Sequence, residues 1–560
     1  MKRIISFSLI LLALCATLCA QNNPIPLLYQ PLVPAATAPG ASGFTLTVNG
    51  HGFAAGAVVN WNGSARATTV VSSSQVQATI TSADVAHIGT ASVTVVNPAP
   101  GGGASNAVYF PIRQPAAAVA FAPEPSVSPV VGAAVAGDFN GDGILDLVVG
   151  QNFNNQTGSL SFYRGLGNGN FAAPVTSPST LPVFSLMSGD FNNDGKLDVV
   201  IGTFDPNAFT ARAVVFINNG FGHFVEKPAF GGGDDGWLSG VADVNGDGIP
   251  DVLFEGEAQG NGAVEVYLGN GDGTFTLKSE ASENNYDASP IGIGDFNGDG
   301  KLDMAVTDFY QVDVFLGNGD GTFQPFVPYA CTPSCGGSIT AADLNGDGKL
   351  DLIVGELAVF LGNGDGTFTP GYNHTPAGAG FNIVGDFNGD GKLDVVTVGF
   401  DISVFLGNGD GTFQNPTTSG SFTTGSTMAV FGDFNRDGQL DIVNWGNTSD
   451  QVGLQTSLGL APGSLNFGSI KIGNTSKGQT ITLTNVSSHS VPISSIALTG
   501  ADPGDFLEHN TCGAGLHVGA TCTISVAFKP TVTGTRTASV TITYSGVASP
   551  QTVALTGYGF

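Results

Sequence analysis

The sequence predicts an all-β chain, a seven-bladed β-propeller between two small β-sandwich domains. Three observations carry that prediction. A nine-residue pattern, D-x-N-x-D-G-x-x-D, occurs seven times between Asp138 and Asp441. Successive copies begin 43 to 53 residues apart, the period of a blade made of several short strands. Each copy runs directly into an apolar, β-branched segment such as Leu147-Val148-Val149 or Val395-Val396-Thr397, which reads as a strand.

The chain opens with Met1–Ala20, where Lys2 and Arg3 precede a mostly apolar stretch from Ile4 to Leu14 and small Ala20 offers a cleavage point. This is expected to be a secretory signal peptide. Beyond it no segment has about 18 consecutive apolar residues, so the mature chain is expected to be secreted or held at the cell surface without inserting into the membrane. Residues 24–113 then alternate apolar and polar, as in Phe44-Thr45-Leu46-Thr47-Val48 and Ala91-Ser92-Val93-Thr94-Val95-Val96. That is the period of half-buried strands. With Asn49-Gly50-His51-Gly52-Phe53, Val59-Asn60-Trp61-Asn62-Gly63 and Val96-Asn97-Pro98, the segment resembles an IPT/TIG immunoglobulin-like domain.

Oxygen side chains recur at fixed places in the seven loops. Position 1 is Asp138, Asp190, Asp243, Asp295, Asp343, Asp386 or Asp433, and position 3 is Asn140, Asn192, Asn245, Asn297, Asn345, Asn388 or Asn435. Position 5 is Asp142, Asp194, Asp247, Asp299, Asp347, Asp390 or Asp437, and position 9 is Asp146, Asp198, Asp251, Asp303, Asp351, Asp394 or Asp441. Position 7 would add a backbone carbonyl, from Ile144, Lys196, Ile249, Lys301, Lys349, Lys392 or Gln439. Calcium takes six to eight such oxygens. Magnesium demands stricter octahedral geometry, and zinc or copper would want the thiolate or imidazole that these loops lack. Up to seven structural Ca²⁺ ions are therefore expected. Glycine at position 6 is expected to turn the chain with a positive φ. Position 2 is apolar in every copy (Phe139, Phe191, Val244, Phe296, Leu344, Phe387, Phe434) and should tuck into the body.

A second motif lies inside the repeat: Val314-Phe315-Leu316-Gly317-Asn318-Gly319-Asp320-Gly321-Thr322-Phe323, echoed near Phe275, Phe368 and Phe413. It reads as strand, tight hairpin, strand. Each blade is then strand, acidic loop, strand, variable loop, strand, hairpin, strand. The seventh repeat lacks its last strand, and Val119-Ala120-Phe121-Ala122-Pro123 matches the missing Thr322-Phe323-Gln324-Pro325. This segment is expected to complete the seventh blade and remove the open sheet edge. Over residues 117–459 the loops and hairpins resemble FG-GAP/VCBS repeats, which implies the calcium-bearing blade architecture of integrin α-subunit propellers.

Residues 460–560 contain Leu465-Asn466-Phe467-Gly468 and Cys522-Thr523-Ile524-Ser525-Val526-Ala527-Phe528-Lys529-Pro530. They resemble bacterial Hydin/ASH-type, or choice-of-anchor D, domains. The resemblances make both flanks immunoglobulin-like β-sandwich domains, often spacers or adhesion modules. Two local disulfides, Cys331 with Cys335 and Cys512 with Cys522, are expected in an oxidising compartment.

The formal charge is −28, and 21 of the 45 acidic residues are loop aspartates. Nucleic-acid binding is disfavoured because no basic patch exists to neutralise phosphates. The seven histidines form no H-E-x-x-H pair, and no G-x-S-x-G elbow or P-loop is present. The expected function is non-catalytic recognition or adhesion, with an extracellular glycan or a surface protein as ligand. A polysaccharide lyase or hydrolase built on the propeller is the alternative. Acidic loops and hairpins should share one face, leaving the variable connections on the other, where binding residues concentrate. Trp237, Tyr286, Tyr310 and Trp445 on those connections are candidate ligand contacts, alongside Phe153 and Phe204, or else they cap blade packing.

With a Kd of about 0.1 mM and about 2 mM calcium, each filled loop would add about 1.8 kcal/mol of stability. Chelation with EDTA is expected to lower the melting temperature sharply. An unchanged melt would contradict the calcium assignment.

Overall fold

The computed structural model describes residues 23–560 except 24–25, 29–30, 88, 100–101, 106, 114, 117, 124–132, 154–155, 206–209, 232–236, 259–260, 283–290, 308–309, 332–337, 356, 375–380, 399–400, 422–425, 438, 447–449, 488–489 and 547–548. The expected signal peptide lies outside these residues. All described regular structure is strand, apart from one helical turn at Pro503–Asp505.

Among the described residues, seven four-stranded sheets lie in the repeat region. Six follow chain order, the first being Ala134–Gly137, Asp146–Phe153, Thr157–Tyr163 and Val175–Ser179, all antiparallel. The sheet of Ser426–Gly432, Asp441–Gly446 and Asp450–Gln455 takes its fourth strand from Phe121–Pro123. There Phe121 pairs with Gln455 and Pro123 with Gly453. The first strands touch their neighbours in a closed circuit, with Ala134–Gly137 meeting both Ser185–Gly189 and Ser426–Gly432.

Burial explains why the second strands are apolar without alternation. Val148, Val149, Val199, Val200 and Ile201 have no exposed surface, because each sheet is covered on both faces by its neighbours. Val148 and Leu160 of the first sheet share a core with Val199, Ile201 and Val214 of the second. Leu147 and Val149 pack with Phe434, Val443 and Leu454 of the last sheet.

An aromatic seam repeats around the circuit. The position-2 residue of each loop packs on the phenylalanine that follows the hairpin of the next sheet. Phe139 meets Phe224 at 6.1 Å between ring centroids, Phe191 meets Phe275 at 5.7 Å, and Phe296 meets Phe368 at 5.4 Å. Phe434 meets Phe171 at 5.9 Å across the junction of last and first sheets. Phe387 meets Phe121 edge-on at 6.1 Å, so the exchanged strand supplies the ring that its sheet would otherwise lack.

The N-terminal sandwich pairs a sheet containing Phe44–His51 and Gln75–Ile80 with one containing Val58–Trp61, Gly89–Asn97 and Val108–Ile112. Trp61 and Phe110 pack in its core with ring centroids 5.1 Å apart and planes tilted by 53°. In the C-terminal sandwich Phe467, Phe506 and Phe528 form the aromatic core. Its first strand is Leu458–Ala461, paired with Gln479–Asn485, so this domain starts two residues before the expected boundary at 460.

Phe121→Ala is expected to cost about 3 kcal/mol, the usual penalty for emptying a buried phenylalanine site. Urea unfolding checks this, and an unchanged midpoint would contradict closure by the exchanged strand.

Candidate functional site

Each acidic loop joins the first strand of a sheet to its second. The position-9 aspartate opens the second strand and is completely buried in all seven loops. Both of its carboxylate oxygens accept backbone N–H groups. Oδ1 of Asp146, Asp251, Asp303, Asp351 and Asp394 accepts from Gly165, Gly269, Gly317, Gly362 and Gly407 at 2.7–2.9 Å. Asn218 and Gln455 donate the same bond to Asp198 and Asp441 at 2.8 Å. These donors lie at the end of the third strand or two residues beyond it. Oδ2 accepts from position 2 of its own loop, as Phe296 N–H to Asp303 at 2.8 Å. One carboxylate thereby ties the loop, the second strand and the third strand together. In the sixth loop Asn388, at position 3, donates instead of Phe387.

The remaining side chains brace the turn. In the fourth loop Asp295 accepts N–H bonds from Gly298, Asp299 and Gly300 at 2.8–3.1 Å. Asn297 accepts from Asp299 and Asp299 accepts from Lys301. Position 6 has the expected positive φ in the six loops where it is described, Gly300 at 82° for example, and Gly438 of the seventh lies outside the described residues. Position 4 is also left-handed, which the sequence reading missed. Asn193 (φ 56°) and Arg436 (φ 63°) adopt it without glycine, against the usual steric preference.

Burial pushes these carboxyls up. The position-9 groups rise to about 8 at Asp198 and Asp251, about 7 at Asp146, and about 6 at Asp303 and Asp351. Backbone N–H bonds oppose the shift, and repulsion from the loop's other aspartates adds to it. Position 1 follows suit, to about 7 at Asp243 and about 6 at Asp190 and Asp386.

The donor set is oxygen throughout and carries crowded negative charge, which fits a hard divalent cation in its chemistry. Among the described residues, however, no three carboxylate, imidazole or thiol side chains converge as a metal-holding group. The reason is visible in the bonds above, since the carboxylate oxygens are individually engaged with backbone N–H groups. Position-7 lysines also reach position 5, with Lys196 Nζ 2.8 Å from Asp194 and Lys301 Nζ 3.5 Å from Asp299.

The loop face is covered at its centre by the N-terminal sandwich, a feature absent from the sequence reading. Tyr109 donates its hydroxyl to the Gly143 carbonyl, and Thr90 donates to Asp433 at 3.2 Å. Arg113 reaches Gln455 at 2.9 Å and the Phe387 carbonyl at 2.6 Å. Between sandwich and first strands lies a cavity of about 1000 Å³, lined by Asn49, Ser72 and Gln75 above and by Asp138, Asp295 and Asp343 below. The one available signal was Arg113 itself, the only lysine or arginine between Arg66 and Arg164.

On the opposite face, Trp237 is 58% and Tyr310 72% exposed, and Phe153 is 43% exposed. Trp237 starts the first strand of the third sheet and Tyr310 precedes the third strand of the fourth, so the two sit on adjacent sheets. Trp237 pairs across the strands with Glu255, a buried acid. Phe204 is half-buried. Trp445 lies in strand Asp441–Gly446 opposite Asp450, its side chain outside the described set, as is all of Tyr286. The structure thus places Trp237 and Tyr310 on one face, on adjacent sheets. Cys512 and Cys522 form the expected disulfide. Cys331 is disulfide-bonded, and Cys335 lies outside the described residues.

A carboxyl held near 6 to 8 in the fold and near 4 when unfolded favours folding at low pH, and that advantage is lost as pH rises through the folded value. The melting temperature of metal-stripped protein is therefore expected to fall as pH is raised from about 5.5 to about 8.5, and calcium should flatten the profile. A rising profile without metal would contradict the buried-carboxylate description.

Comparison with known proteins places FG-GAP-like repeats at residues 138–201, 190–254, 257–306, 295–354 and 386–443. An IPT/TIG domain matches residues 30–112. Residues 457–560 match Cep192 domain 4, where a Hydin/ASH-type domain was expected. Integrin alpha-PS3 of Drosophila melanogaster is 31% identical over 147 residues, 22% of this chain and 13% of that protein. The chain thus spans a small fraction of the length of this relative. An Agrocybe aegerita lectin specific for non-reducing terminal N-acetylglucosamine aligns with a TM-score of 0.39 at 20% identity, over 64% of this chain and 93% of the lectin. The Vibrio cholerae biofilm matrix protein Bap1 aligns with a TM-score of 0.28 at 14% identity, over 77% of this chain and 62% of Bap1. The chain carries FG-GAP-like repeats and an IPT/TIG domain in an all-β, propeller-type architecture.

Proposed function

We propose that this chain is an exported recognition or adhesion module, seven blades closed into one propeller and stabilised by up to seven Ca²⁺ ions in its acidic loops. Its ligand is a glycan or a surface protein bound on the face away from those loops. One observation carries the reading. Trp237 and Tyr310 stand exposed on adjacent sheets at the ends remote from the acidic loops, while the loop face is centrally covered by the N-terminal sandwich.

Large aromatics left in water on a rigid scaffold suit stacking on sugar rings or anchoring a partner. The integrin-related segment and the match to repeats of the same kind support an adhesion role outside the cell. No described helix is long and apolar enough to cross a membrane. The acidic balance suits a neutral or cationic ligand better than an anionic one.

Glycan arrays and capture from cell surfaces, each with and without calcium, identify the ligand class. Trp237→Ala and Tyr310→Ala are each expected to weaken that binding by about tenfold or more with an unchanged melting temperature. Lost stability with intact binding would assign these rings to packing instead.

A further inference from the structure

Arg113 occupies an unusual place. It leaves the last strand of the N-terminal sandwich, Val108–Ile112, and enters the propeller between its sixth and seventh acidic loops. Its side chain is only 8% exposed. One guanidinium nitrogen donates to Gln455 at 2.9 Å, and another donates to the carbonyls of Phe387 at 2.6 Å and Asp386 at 3.5 Å. Gln455 in turn donates to the same Phe387 carbonyl at 2.7 Å and offers its N–H to Asp441. A side chain on Gly389, inside the sixth loop, would strike Arg113 Nε at 2.5 Å, so the loop is shaped around this arginine. The next residues follow it in, with Ala116 N–H bonded to the Asn388 carbonyl at 2.7 Å.

Guanidinium does not give up its proton in proteins, so this is a fixed positive charge in a poorly hydrated place. Asp386 and Asp394 of the sixth loop and Asp433 and Asp437 of the seventh all act on it electrostatically. The lysines at the second, fourth and fifth loops differ, since they lie exposed at position 7 and can swing into water. The sixth loop is also the one whose Asp386 and Asn388 are nearly inaccessible and whose position-9 bonding departs from the other six.

We infer that Arg113 is the built-in cation of the sixth and seventh loops, so that seating the N-terminal sandwich and filling these loops with Ca²⁺ oppose each other. Calcium affinity rises with the net negative charge of the ligand set, and a buried guanidinium lowers that net charge for the sixth loop most. Tight calcium binding then belongs to the loops that Arg113 does not reach, and the sixth loop binds calcium tightly only when the arginine is withdrawn. This rests on the calcium reading above and adds a residue that sets which loops obey it.

Equilibrium dialysis with metal analysis tests it on the full mature chain, at free calcium sufficient to fill the tight sites of the unmodified protein. Arg113→Met is expected to bind at least one more calcium per chain, and Arg113→Lys to keep the original number. Asp299→Asn, in the exposed fourth loop, is expected to lose one ion, and Asp390→Asn, in the sixth, to lose none. This second pair decides the matter if Arg113→Met fails to fold. An unchanged count in folded Arg113→Met, or one ion lost from Asp390→Asn, overturns the inference while leaving calcium binding intact. No calcium bound by any variant or by the unmodified chain overturns both.

Discussion

The propeller depends on a carboxylate buried among backbone N–H groups, repeated seven times. Left in an apolar interior, each position-9 aspartate would be costly. Two N–H bonds offset that cost, and bonds of this charge-assisted kind contribute roughly 1.5–3 kcal/mol each. The same two bonds fix geometry. One sets where the loop leaves the first strand, and the other sets where the third strand ends against the second. Once these are fixed, position 2 has a single direction in which to point, towards the phenylalanine of the next sheet. The local clamp thus becomes the contact between sheets.

Electrostatics follow from this arrangement. Burial raises the position-9 carboxyls of loops such as those of Asp198 and Asp251, repulsion from the loop's other aspartates adds to the rise, and a divalent cation would relieve that repulsion. Where the N-terminal sandwich meets the loops, hydroxyl and guanidinium groups from Thr90, Tyr109 and Arg113 stand against them instead. The loop face is therefore used twice, for holding sheets together and for seating a domain. The far face is left with exposed rings and the variable connections.

Much of this was legible in the sequence. Fixed acid positions and their period marked the loops and the strand after each loop. The likeness of Val119–Pro123 to Thr322–Pro325 located the exchanged strand, because hydrophobic and turn residues obey local rules. The role of the position-9 oxygens was not legible. A sequence cannot distinguish an oxygen aimed at an ion from one aimed at an N–H, and both require aspartate. Nor could it show the seat of the N-terminal sandwich. Arg113 bonds to residues more than 270 positions away, a contact that leaves no periodic trace. Position 4 went unread because Asn193 and Arg436 hid a left-handed turn that glycine marks elsewhere. The C-terminal domain was read as a sandwich from its resemblance to Hydin/ASH-type domains, and its first strand, Leu458–Ala461, begins two residues before the expected boundary.

The central proposal is that the acidic loops are cation sites built upon a backbone clamp. The most direct measurement is an anomalous difference map from crystals grown with calcium, recorded at long X-ray wavelength. The account predicts a peak beside the aspartates of each solvent-facing loop, strongest in the second to fifth, with the position-9 N–H bonds retained. A map without peaks there, the aspartates still turned to backbone N–H groups alone, would contradict it.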